Sequence, residues 1–170
     1  VLMFQKADAL DPGDASTLYN WARALSSTGH LDDAVRKFEQ AHAAGPESPD
    51  TLLFWGLALA DLSRYEEAID RYEQADRLHP DDPHALHSWG VALNHAGQHD
   101  EAIRKFAHAD ALHPDEPTTL YWWAAACMEA EAYDDATEVL ARLDVVWPGG
   151  GSHLLARIYA RDGKTQPARQ

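Results

Sequence analysis

The apolar residues of this chain follow one pattern that returns every 34 residues. Leu52 returns as Leu86 and Trp55 as Trp89, and a glycine follows the tryptophan in both copies. Within each copy the apolar residues recur at the spacing of one face of an α-helix. A fixed period of about this length is the signature of a stacked repeat array. The pattern therefore predicts a helical repeat protein.

Each copy predicts two helices joined by a short turn. The first helix carries the tryptophan, and the second carries an alanine four residues before an aromatic ring, as in Ala102 and Phe106. The predicted helices span residues 15–28, 31–44, 49–62, 65–78, 83–96, 99–112, 117–130 and 133–146. A small residue in every first helix is expected to let the paired helix approach closely, since overpacking is destabilising. These small residues are Ala22, Gly56, Gly90 and Ala124.

The period divides the chain into four complete units with a partial unit at each end. The complete units are predicted at 15–48, 49–82, 83–116 and 117–148. Residues 1–14 are interpreted as the end of a preceding partial repeat. The glycine run at 149–151 breaks the pattern. We expect the register to slip there by about two residues, and residues 149–170 to form a partial fifth repeat or a capping helix. From the incomplete repeats at both ends we predict that this sequence is a piece of a longer protein.

This unit resembles the tetratricopeptide repeat. The likeness rests on the large apolar pair, the small residue, the alanine–aromatic spacing and a closing proline such as Pro80 or Pro114. It implies an all-α fold, a right-handed α-solenoid of helix–turn–helix units. The chain departs from the family in the exchanged order of leucine and tryptophan in the first helix. The fourth unit also carries Leu140 in place of the aromatic ring and Glu131 at the turn glycine.

The resemblance further implies a concave groove, lined by the first helices, that binds a peptide or a helix of a partner. The groove residues would lie on the face of each first helix that does not form the core. They are Tyr19, Asn20, Arg23, Ser27, Leu53, Phe54, Leu57, Asp61, His87, Ser88, Val91, Asn94, His95, Tyr121, Trp122, Ala125 and Glu129. One subgroup of the family uses lysine, arginine and asparagine at these positions to hold a chaperone's carboxyl terminus. In this chain the positions carry mostly apolar and histidine side chains, which argues against such a chaperone receptor.

Phe54 and Trp122 are the most informative of these residues, because Leu52 and Trp55 already serve the core. Clusters of exposed apolar side chains usually mark interaction sites, and aromatic residues are favoured anchors in interfaces. The binding interpretation predicts a hydrophobic or amphipathic segment as the partner. The alternative is that the two rings pack between adjacent first helices.

Composition narrows the classes of partner. The net charge of −14 and the pI near 4.9 argue against binding to nucleic acid or anionic membrane, and they permit a basic protein partner. The single cysteine, Cys127, excludes an internal disulfide, and we expect a cytoplasmic location. No apolar run approaches the roughly 20 residues that span a bilayer, so no direct membrane insertion is expected.

The sequence contains no pattern that predicts catalysis, a metal site or a cofactor. Acidic pairs such as Asp100 and Glu101 recur at the start of the second helices, where negative charge complements the helix dipole. His87 and His95 would lie about 12 Å apart along one helix, too far to share a metal ion. Cys127 is expected in the core rather than as a reactive thiol.

These features favour a non-catalytic scaffold that binds a segment of a partner protein in its groove. Two alternatives stay open. The chain could be the substrate-docking array of a larger enzyme, such as a glycosyltransferase, whose catalytic domain lies outside these residues. It could also be a self-assembling scaffold, because open repeat ends expose apolar faces to a neighbouring copy.

Overall fold

The structure, a computed structural model, describes residues 13–161, and the secondary-structure elements in this part of the chain are all α-helices. The predicted all-α fold is confirmed, and four of the helices end one residue earlier than predicted. The partial repeat predicted before residue 13 and the end of the chain after residue 161 lie outside the described residues. The described helices are α1 (Ala15–Ser27), α2 (Leu31–Ala44), α3 (Pro49–Asp61), α4 (Tyr65–Leu78), α5 (Pro83–His95), α6 (His99–Leu112), α7 (Pro117–Glu129), α8 (Tyr133–Val146) and α9 (Ser152–Arg161).

The first helix of each repeat begins with a side-chain cap. Asp14 Oδ2 accepts the backbone N–H of Thr17 at 2.7 Å, and Glu116 Oε2 accepts that of Thr119 at 2.8 Å. Such caps satisfy N–H groups that have no partner within the helix. In α3, α5 and α7 a proline follows the cap, where its missing N–H leaves no bond unmade. The first helix of each repeat therefore begins at a defined residue.

The turn between the paired helices has the same conformation in all four complete repeats. Gly29, Ser63, Gly97 and Glu131 occupy equivalent positions, and each has a φ between 59° and 78°. Glycine adopts this left-handed conformation without steric cost, whereas serine and glutamate do so at some cost. The glutamate at the turn of the fourth repeat therefore leaves the turn geometry unchanged.

The helices stack so that the first helices form one side of the array. Each second helix packs against its own first helix and against the first helix of the next repeat. The first helices also contact each other, α1 with α3, α3 with α5 and α5 with α7. No comparable contact joins the second helices within residues 13–161. The first helices therefore line the inner side of the array, and the second helices lie outside.

Glycine allows the closest approach within repeats 2 and 3. A Cβ on Gly56 would lie 2.6 Å from Tyr72 Cε1, and one on Gly90 would lie 2.7 Å from Phe106 Cε1. Both rings are buried, as is Ala22 at the equivalent position of repeat 1. Because a buried ring has little room to move away, the small residue at this position is a packing requirement.

A cation from the second helix covers the tryptophan of each of the first three repeats. The cation lies 4.0 Å from the ring centroid for Lys37 and Trp21, 4.5 Å for Arg71 and Trp55, and 3.2 Å for Lys105 and Trp89. A cation over an aromatic face is attracted by the ring quadrupole, and its aliphatic stem covers apolar surface. These tryptophans therefore lie at the edge of the core, beneath a layer of basic side chains.

The glycine run after α8 preserves the repeat register, so the predicted slip of two residues is wrong. Leu154 in α9 is buried one period after Leu120, which is buried in α7. A Cβ on Gly151 would collide with Leu140. The glycines are therefore needed because the backbone passes closely over repeat 4, while the number of residues in the period stays the same.

Candidate partner-binding groove

The residues predicted for the groove all lie on the first helices, on the inner side of the array. We refer to these residues together as the groove face. None of them is fully buried: Asn20, Arg23 and Glu129 are exposed, and the apolar members are half-buried. The groove face is therefore neither sealed core nor an ordinary solvated surface.

Tyr19 and Phe54 form a ring cluster near the N-terminal end of the groove face. Their rings meet edge to face with centroids 5.9 Å apart, and Tyr19 also contacts Phe38 at 6.2 Å. Edge-to-face pairs of this kind are favourable beyond the area they bury. Phe54 therefore does pack between adjacent first helices, as the alternative interpretation holds, yet part of its surface stays open to solvent.

Arg23 completes this N-terminal ring cluster, which we define as Tyr19, Arg23 and Phe54. The Arg23 Cζ lies 4.6 Å from the Phe54 centroid and 5.6 Å from the Tyr19 centroid. Among the described residues no carboxylate lies within ion-pair distance of its guanidinium. Burial raises the pKa of Tyr19, and the nearby Arg23 charge opposes that shift. The cluster thus offers an apolar floor beneath an unpaired, exposed cation.

Five rings form a second cluster toward the C-terminal end, the C-terminal ring cluster. His95 stacks on Tyr65 with centroids 5.0 Å apart, and its edge meets Trp122 at 5.3 Å. Trp122 meets Tyr121 at 5.7 Å, and Tyr121 Oη lies 3.2 Å from His153 Nε2. Tyr65 belongs to a second helix and His153 to α9, so mapping only the first helices of complete repeats missed both. Both α4 and α8 begin with a tyrosine, and this recurrence was the sequence signal that could have pointed to Tyr65.

Between the clusters the groove face carries polar side chains beside half-buried apolar ones. His87 Nδ1 lies 3.0 Å from Thr119 Oγ1 of the next repeat, and Asn94 Oδ1 lies 2.8 Å from His99 Nδ1. Burial lowers the pKa of His87 below its ordinary value, and the Glu116 charge partly opposes this shift. His87 is therefore held as a neutral ring that ties repeat 3 to repeat 4.

The groove face carries little charge in a strongly acidic chain. Within α1, α3, α5 and α7, Arg23 is the only lysine or arginine, and the carboxylates are Asp50, Asp61 and Glu129. The acidic pairs predicted at the start of the second helices lie in the first turns of α2, α4, α6 and α8. Most of the −14 charge therefore lies away from the groove face.

A second apolar surface, not predicted from the sequence, lies at the C-terminal ends of the second helices. Val145 is 81% exposed and Trp147 is 48% exposed. Leu78, Leu112 and Val146 are exposed at equivalent positions, one period apart. We refer to these five residues as the outer apolar row.

Within residues 13–161 no group of three or more histidine, cysteine or acidic residues is placed to hold a metal ion. Cys127 is buried, as expected, and burial raises the pKa of its thiol to about 11. The thiol is therefore protonated at neutral pH and packs as an apolar side chain. No described helix has the length and apolarity that crossing a bilayer requires.

Two family models match this chain, and both are described as tetratricopeptide repeat. One matches residues 19–83 and 55–117, and the other matches residues 93–145. Together the matches cover well over half of the 170 residues. No curated protein sequence matches the chain.

Solved structures of repeat proteins are similar over most of this chain. YrrB, described as a TPR protein with an unusual peptide-binding site, superposes with a TM-score of 0.82 at 21% identity, covering 96% of this chain and 85% of its own. A MamA structure gives 0.79 at 17% identity, covering 98% and 85%. MamA from Desulfovibrio magneticus RS-1 gives 0.79 at 20% identity, covering 82% and 79%. At these identities the likeness shows the fold alone.

Proposed function

This chain belongs to the tetratricopeptide repeat family, and on that premise we propose that it is a non-catalytic scaffold whose groove face binds a segment of a partner protein. The resemblance found in the sequence is thereby confirmed, and domains of this family mediate protein–protein interactions. The observation that carries the proposal is the pair of ring clusters on a weakly charged inner face, in which the phenylalanine, tyrosine and tryptophan rings are half-buried and the histidines exposed.

The ring clusters have the properties of binding anchors. Large aromatic side chains supply much of the affinity of interfaces when they are desolvated. Here each ring is already held by its neighbours, so a partner would immobilise few new rotamers on binding. YrrB, the structural neighbour described as having a peptide-binding site, supports the same use of a similar fold.

The distribution of charge indicates how affinity would arise. The acidic outer helices attract basic partners at long range, an effect that salt screens. The groove face itself offers mostly apolar contact. We therefore propose a partner segment with apolar anchors, and we expect salt to weaken binding of a basic partner to the extent that it slows association, while the apolar contacts are unaffected.

The test is the double variant Phe54→Ala with Trp122→Ala, one ring from each cluster. We expect it to abolish capture of partner proteins in an affinity pulldown read by mass spectrometry, because both anchors are removed. The matched control is Leu112→Ala with Val145→Ala, which removes apolar surface from the outer apolar row and is expected to keep capture. Unchanged capture by the groove variant, or loss of its helical circular dichroism, would contradict the assignment.

Self-assembly is a second candidate, favoured by the exposure of Val145 and Trp147 in the outer apolar row. Contiguous exposed apolar surface often marks an interface. Light scattering over a concentration series tests this candidate: association that Val145→Ser with Trp147→Ser removes would support it, and a strict monomer throughout would rule it out. The docking array of a larger enzyme stays a prediction, since it concerns residues beyond the printed sequence.

A further inference from the structure

We propose that the bound segment is extended, carries two apolar anchors about six residues apart, and places an acidic side chain beside the anchor that enters the N-terminal ring cluster. This inference rests on the proposed function, because it names the partner of the same groove face. Three features of the groove carry it: the spacing of the ring clusters, the polar side chains between them and the cation Arg23, the only lysine or arginine of α1, α3, α5 and α7.

The spacing follows from the position of the two anchors in the repeat. Phe54 and Trp122 occupy the same position in repeats 2 and 4, and the first helices of adjacent repeats contact each other. Packed helices lie about 10 Å apart, so two repeats separate the anchors by about 20 Å. An extended chain rises about 3.3 Å per residue and covers this distance in about six residues. A helix, at about 1.5 Å per residue, would need about 13.

The polar side chains between the clusters favour the extended form. Asn94 accepts from His99 through Oδ1, which leaves its side-chain N–H₂ available as a donor. The half-buried Ser88 adds a hydroxyl about 1.7 helical turns away on the same helix. A helix satisfies its own backbone groups, whereas an extended segment presents unpaired C=O and N–H groups that need such partners. The middle of the groove face thus suits an extended backbone.

The acidic preference follows from Arg23. The Arg23 guanidinium lies over the Phe54 ring and hydrogen-bonds with the Tyr19 side chain, and because it is exposed its remaining N–H donors are open to a ligand. The planar guanidinium matches a carboxylate with two parallel hydrogen bonds. At the other end of the groove Glu129 already pairs with Arg157 at 3.2 Å. An acidic residue is therefore favoured beside one anchor only, which also sets the direction of the segment.

The experiment selects binders from a displayed library of random peptides of about 16 residues, using the 170-residue chain as bait. We expect enrichment of apolar pairs about six residues apart with Asp or Glu beside one of them. For a selected peptide, fluorescence anisotropy should show about tenfold weaker binding when its acid becomes the amide. Arg23→Gln should cause the same loss for the acidic peptide and none for the amide peptide. The charge-matched control Arg104→Gln, on an outer helix, should bind both peptides as the wild type does.

The outcomes separate this inference from the proposed function. Selected peptides that need Phe54 and Trp122 but ignore the acid, the Arg23 change and the anchor spacing would overturn the inference and leave the proposed function standing. Anchors about 13 residues apart would identify a bound helix and also overturn it. A selection in which no peptide depends on Phe54 and Trp122 would overturn the proposed function, and this inference with it. Circular dichroism of Arg23→Gln checks that the variant is folded.

Discussion

The buried interior is built from similar residues in successive repeats, whereas the groove face carries different residues from one repeat to the next. Gly56 and Gly90 each lie against a buried ring of the paired helix, so repeats 2 and 3 are built alike inside. On the groove face Phe54, Ser88 and Trp122 occupy one equivalent position in successive repeats. Repeats must share the residues that join their helices, because every unit buries the same kind of face. Positions at which the repeats differ are free of that requirement and are the candidates for specificity.

The largest effect on stability is expected from a substitution in the buried interior. Gly90→Leu should lower the free energy of unfolding by about 3 kcal/mol, because the new side chain meets the buried Phe106 ring at a site with no room. Ser88→Leu adds the same side chain to the same helix on the half-buried groove face, and we expect a change below about 0.5 kcal/mol. Urea unfolding followed by circular dichroism measures both. An equal loss of unfolding free energy in the two variants would contradict the proposed difference between the buried interior and the groove face.

A smaller effect is expected at the edge of the core. Lys105→Gln should cost about 1 kcal/mol, since it removes the cation 3.2 Å above the Trp89 ring. Arg104→Gln makes the same change of charge at the neighbouring, exposed position and should cost less. The difference between the two free energies of unfolding isolates the stacking from the general loss of a positive charge in an acidic chain. No difference would mean that the covering cation contributes no stability.

The smallest expected effect is the pH dependence that His87 contributes. Burial lowers the pKa of this ring in the folded chain, so on acidification the unfolded chain takes up the proton first, near its ordinary pKa of about 6.5. The free energy of unfolding should therefore fall as the pH drops through this value. His87→Gln keeps a partner for Thr119 and removes the titration, so it should lose less stability than the wild type between about pH 7.5 and about pH 5.5. Thermal melts at both pH values measure this, and equal losses would contradict it.

The fold was predictable from the sequence because the residues that pack the helices together recur in every repeat. One period supplied the helix positions and the small residue at Gly90, and the resemblance to the family implied the inner location of Phe54 and Trp122. The slip after α8 was predicted wrongly, because glycines at 149–151 read as an interruption. In the structure Gly151 lets the backbone approach Leu140 while the period is kept. A local pattern cannot reveal such a contact, since Gly151 lies in the connection after α8 and Leu140 lies within that helix.

The sequence by itself determined the repeat and the paired helices, because helical periodicity depends only on neighbours along the chain, and the family resemblance then implied the residues of the groove face. Only the tertiary structure decided which of those residues meet. Tyr65 reaches His95 from a second helix, His95 in turn meets Trp122, and Arg23 lies over Phe54 from the preceding repeat. These contacts depend on how adjacent repeats are rotated and spaced, which is set by the packing of whole helices rather than by any one residue.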